Sequence, residues 1–248
     1  MMIGRSIISL ALATSVFLTS EPVEAIDRSP SPYASERADR KSDLSPSADA
    51  KIEDLRRICL RAIERRLPVL ERLALRIETN RRLDDARRDV LSQQVRDVSS
   101  GIMALRGRLA SGSSLESLLA ECRSVRSRFR VFVVVEPKVH LVIAGDRSLA
   151  TAEKLENIHG RLTARVDQAQ TEGRDMLEAR VILDRMKSAL DKAKSEAASA
   201  IAIAIALDPA DHPNNRDQLR AARTLLRSAF ADLKQALGEA RAVMQLLH

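Results

Sequence analysis

The chain of 248 residues is 45% hydrophobic and 30% charged, yet only 2% aromatic, with no Trp and eight each of Gly and Pro. That length can bury a real core without extensive cross-linking, and so few Gly and Pro exclude collagenous and low-complexity chains. The formal net charge of +7 keeps anionic polymers and surfaces among the partners, while the shortage of aromatic rings for base stacking argues against a nucleic-acid reader.

Met1–Ala25 reads as a cleaved signal peptide: Arg5 is the positive start, Ile7–Leu18 the apolar run, and Val23-Glu24-Ala25 the small-residue cleavage pattern. The run is about a dozen residues, short of the ~20 that span a bilayer. Export to the cell envelope or beyond is therefore expected. Residues 26–44 are rich in Ser, Pro and cancelling charges, have almost nothing to bury, and read as a disordered linker.

Ser45-Pro46 fits an N-cap with Pro in the first turn, so a helix is expected to start there. Its stripe runs Ile52, Leu55, Cys59, Ile63, Leu67, Leu70, Leu73 and Ile77, in steps of three and four. Pro68 lies inside the stripe and should bend it. A second helix is predicted over about 83–109, with Leu83, Ala86, Val90, Val95, Val98, Ile102, Leu105 and Leu109 inward. Ser113-Ser114-Leu115-Glu116 reads as an S-x-x-E capping box opening a third, whose stripe is Leu115, Leu118, Cys122, Val125, Phe129 and Phe132.

That stripe enters the most apolar stretch outside the first residues, FRVFVVVEPKVHLVIAGDR at 129–147. Its β-branched runs allow a short hairpin, but the three-four spacing favours a buried helix broken at Pro137. A fourth helix is expected from near Asp146 or Ser148 to Thr171, a fifth from Arg174 to Leu207, and a sixth capped by Asn215 and Gln218 and running to the end. The predicted fold is all-α: long antiparallel helices in two three-helix bundle units, 45–136 and 146–248, joined through a Pro-broken junction at 137–145.

Chemical signatures are sparse. His140, His159, His212 and His248 lack partners at metal-motif spacing, and no nucleophile elbow, Walker loop or dinucleotide fingerprint is present. Asp84-Asp85 and the Glu153/Glu156 pair sit among arginines and read as solvated ion pairs. The sequence points away from an enzyme and calls for no cofactor. Cys59 and Cys122 admit two readings, a disulfide in an oxidising compartment or two buried thiols. Up-down-up helices would bring both to one level. The basic excess gathers in 49–111, at Arg56, Arg57, Arg65, Arg66, Arg81, Arg82, Arg87 and Arg88.

Phe129-Arg130-Val131-Phe132, followed by Pro137 to Val142 and by Ala144, Asp146 and Arg147, resembles the centre of a family of uncharacterised exported helical proteins. Its members occur in high-GC Gram-positive and candidate-phylum bacteria. The resemblance implies export and an all-helical build, and brings no activity, ligand or site. The functional expectation is a structural or interaction module of the cell envelope, with an envelope protein or anionic polymer as partner. The alternative is a peripheral binder of anionic membrane or polymer through the basic residues 49–111.

Overall fold

Three-four stripes cannot hold a helix in water alone, and in this protein they meet one another. The computed structural model describes residues 48–112 and 114–248, and every regular element among them is helical. The signal segment, the linker and the Ser45-Pro46 start lie outside the described residues.

The first stripe is shared by α1 (Ala48–Glu64) and α2 (Leu67–Thr79). Instead of bending one helix, Pro68 separates two, because its missing N–H is harmless only in a first turn. Next comes α3 (Asp85–Ser111), capped by Asp84, whose carboxylate accepts the Arg87 N–H at 3.1 Å. Its buried line passes through Leu91, Val95, Val98, Ile102, Leu105 and Leu109. Ala86 and Val90, expected inside, face outward, because the helix starts past Leu83 and its register favours Leu91.

The cap of α4 (Leu115–Ser127) is Ser114, one residue later than the S-x-x-E reading placed it, and its hydroxyl accepts the Ser117 N–H at 3.2 Å. Ser113 lies outside the described residues. The central stretch is helical rather than a hairpin, but the break is not at Pro137. It falls at Arg130, which takes the left-handed conformation at φ 39°. From there Val131–Val135 form a π-helical turn, with the Arg130 carbonyl accepting from Val133, Val134 and Val135 at 3.2, 2.9 and 3.4 Å. Pro137 then sits in the first turn of α5 (Glu136–Thr171), the place a proline tolerates. Residues 137–145, expected as a junction, are thus the opening turns of that helix.

A left-handed Gly173 at φ 86° ends α5, with Arg174 N–H returning to the Ala169 carbonyl at 3.0 Å. α6 (Leu177–Ala206) and α7 (Arg216–Leu246) complete the chain, linked by a 3-10 turn at Pro209–Asp211. Asn215 stands at the start of α7 but does not cap it; its Nδ2 donates to the Asp208 carbonyl at 2.7 Å and closes the loop instead.

Contacts between Glu156 and Lys194, His159 and the Leu183 carbonyl, and Arg180 and Asp167 run α5 and α6 antiparallel. Lys192 with Asp232 and Arg185 with Glu239 do the same for α6 and α7. The residues from Pro46 onward form one unit with two apolar clusters. The larger joins α1–α4 to the π turn, the start of α5, the end of α6 and the start of α7. The second fills the rest of the α5–α6–α7 bundle. Close approach of α5 and α6 depends on Gly145, since a Cβ there would run into the Ile201 side chain.

Candidate interaction surface

Of the eight arginines read as one basic surface, four are bound to structural tasks. Arg56 closes the C-terminus of α3, donating to the carbonyls of Leu109 at 3.1 Å and Gly112 at 2.7 Å, with Glu53 at 2.5 Å. Arg57 pairs with Asp54 at 2.5 Å. The Arg87 guanidinium pairs with buried Asp146 and ties α3 to α5, while the Asp84 N–H donates to the other Asp146 oxygen at 3.3 Å. Burial raises the Asp146 carboxyl above the ordinary range, against the pull of Arg87. Arg88 pairs with Asp85 at 2.8 Å and donates to the carbonyls of Asn80 and Leu83, both at 3.0 Å. Arg66 donates to the Ala62 carbonyl at 2.7 Å.

Arg81 and Arg82 line a cleft of about 520 Å³ together with Asp84, Asp146, Glu153, Glu156 and Lys194, so their charge is offset. Arg65 and Arg66 stand differently. α1 and α4 run parallel, and Cys59 and Cys122 are joined by a disulfide with Cα atoms 5.6 Å apart. The pairing opens a groove of about 180 Å³ floored by Leu55, Ala62 and the disulfide. Ile58 and Leu119, 56% and 38% exposed, form its apolar walls, and Arg123 and Arg126 its rim.

Arg66 lies where this rim meets the π turn, its guanidinium 5.2 Å from the centre of the Phe132 ring. Its buried Nε has no hydrogen-bond partner. Burial lowers its pKa, and the neighbouring Arg126 and Arg65 charges lower it further. No ion pair joins Arg65, Arg66, Arg123 or Arg126 to a carboxylate among the described residues. Like charges brought this close, with an orphaned donor between them, favour a bound anion.

The sequence reading missed Arg123 and Arg126. Their i,i+3 spacing in the turn that follows Cys122 was the available signal. It also set Phe132 on the inward stripe, whereas Phe132 and Val133 are 43% and 46% exposed. The left-handed Arg130 shifts the register there by turning Val131 and Val134 inward.

The remaining polar groups are structural. Lys138, 3% exposed, closes the end of α6, and its burial brings its pKa down to about 8 against the raising effect of Asp208. His140 stands at the surface, where Arg76 Nη1 lies 3.1 Å from its Nε2. Partial desolvation and the Arg76 charge hold it below the ordinary imidazole value, with Glu136 opposing. His159 is half-buried, its Nε2 3.2 Å from the Leu183 carbonyl, and His212 is half-buried too. No group of three or more His, Cys, Asp and Glu side chains able to hold a metal occurs among the described residues.

The residues behind the sequence resemblance serve this frame: Arg130 turns the chain, Lys138 closes α6, and Asp146 anchors Arg87. Family models, curated proteins and solved structures all lack a match to the chain, and its surface is assigned from its own geometry.

Proposed function

We propose that the protein is an exported, non-catalytic interaction module of the cell envelope that binds an anionic partner through the α1–α4 face. The observation that carries this reading is the convergence of Arg65, Arg66, Arg123 and Arg126, with no carboxylate paired to them, beside an open apolar groove. Four clustered cations, one of them partly buried, gain most from a partner that brings acids. Export is supported by the pattern of residues 1–25, and among the described residues no helix is long and apolar enough to cross a membrane.

The test is retention on immobilised poly-L-glutamate. Wild-type protein elutes late at low salt and early near 0.3 M salt, where the Debye length falls to about 6 Å. The double variant Arg65→Gln, Arg126→Gln elutes early at both, while Arg81→Gln, Arg82→Gln stays close to wild type. Equal loss in both variants would mean diffuse charge and would refute the assignment to this face.

A further inference from the structure

The face has a second property that charge alone does not explain. Phe132 and Val133 are consecutive, large, apolar and each more than two-fifths exposed. They stand out from the π turn beside Arg66, and Arg126 links them to the groove wall of Ile58 and Leu119. Arg128 and Arg130 flank the turn, Arg128 over the Phe129 ring at 5.8 Å and the Arg130 Nε donating to the Ser127 carbonyl at 3.2 Å. The basic side chains thus ring an apolar tip.

From this juxtaposition we infer that the α1–α4 face docks on an anionic phospholipid bilayer, with Phe132 and Val133 entering the interface and the arginines around them meeting lipid phosphates. The inference rests on the anionic-partner reading and names the partner. Aliphatic and aromatic side chains bury into the headgroup boundary, while arginine keeps its charge at phosphate level on a long apolar stem. Guanidinium groups also match phosphate oxygens in pairs, which suits Arg65, Arg66 and Arg126. A second copy of the chain is a poor occupant, because a two-fold contact would set these arginines against their own counterparts. An acidic protein segment would answer the charge but has no need of an apolar tip on the turn.

The experiment is co-sedimentation of the chain lacking residues 1–25, all of whose described residues lie in the unit starting at Pro46. Vesicles are pure phosphatidylcholine or an equal mixture of phosphatidylcholine and phosphatidylglycerol. Binding to the mixed vesicles, absent from the neutral ones and lost as salt rises, is expected. The pair Phe132→Ser, Val133→Ser should weaken it about tenfold, the scale of burying one to two apolar side chains. The pair Leu177→Ser, Val181→Ser, exposed on α6, should leave it unchanged. Melting temperatures of both variants should stay near wild type, since none of the four side chains is in the core. Wild-type affinity in the Phe132, Val133 variant would overturn the inference, as would equal binding to neutral vesicles. Retention on poly-L-glutamate without vesicle binding would overturn it too and leave the anionic-partner reading intact. Loss of both would sink both.

Discussion

The Lys138 ammonium, on the first turn of α5, donates to the carbonyls of Ile205 at 2.6 Å and Leu207 at 2.9 Å, the last acceptors of α6. One buried cation therefore closes a helix that has no basic residue in its own last turn. The helix dipole and two orphan carbonyls favour the charge, and burial opposes it.

A pH dependence follows from that balance. The folded pKa of Lys138, about 8, lies below its ordinary 10.5. Between those values the unfolded chain binds more protons than the folded one, so this group's contribution to stability rises with pH. The full burial penalty applies below about pH 8. Urea midpoints of wild type and Lys138→Met, compared at pH 7.5 and 9.5, should show a rise in wild type that the variant lacks. A parallel response in both proteins would rule the effect out.

Val134 is fully buried in the π turn. Val134→Asp should cost several kcal/mol, on the order of 3, because a carboxyl there has no partner and no water. Thermal unfolding followed by circular dichroism measures this as a large fall in melting temperature. Val133→Asp, one residue along and exposed, should change it little.

Gly145→Ala places a methyl group against the Ile201 side chain where the backbones of α5 and α6 come close. Overpacking of this kind costs about 1–3 kcal/mol. Combining it with Ile201→Ala, which removes the Cγ1 that the methyl group meets, should cost less than the sum of the two, giving a coupling energy in a double-mutant cycle. Strict additivity would mean that the helices move apart rather than repack.

The bridge between Cys59 and Cys122 closes a separation of 63 residues. Replacing both with Ser should lower stability by about 2–4 kcal/mol, read as a shift in the denaturant midpoint. Peptide mapping of protein purified without reductant should recover the two cysteines in one linked pair. Since α1 makes its neighbours mainly of α3 and α4, its amides should lose hydrogen-exchange protection first in the Ser variant.

Helix type and most inward faces were legible in the sequence because burial and periodicity agree there. The line from Leu219 through Ala222, Leu226, Ala229 and Leu233 to Val243 on α7 is buried as its spacing predicts. Pro68 and Pro137 show why boundaries were not: a proline inside an apolar pattern marks either a bend or a first turn, and spacing does not choose between them. The left-handed Arg130 carries no signature, since Gly or Asn would be the usual residue there. The candidate face was half legible. Arg65 and Arg66 stood out as a pair, but Arg123 and Arg126 join them only through the pairing of α1 with α4. The other predicted arginines were lost to carbonyls and carboxylates that folding brings near.

The disulfide also decides how the molecule would carry a load. A pull applied through the two ends of the chain enters α1, crosses at Cys59 to Cys122, and continues into α4 without passing along the residues between. The whole of α2 and α3 is out of the tensile path. In the oxidised protein the separation of 63 positions withholds roughly 210–230 Å of extension, at ~3.3–3.6 Å per residue, which reduction would release. Under a pull through the chain ends, α3, the helix that α1, α2 and α4 all pack against, would thus stay mechanically silent for as long as the bridge stays oxidised.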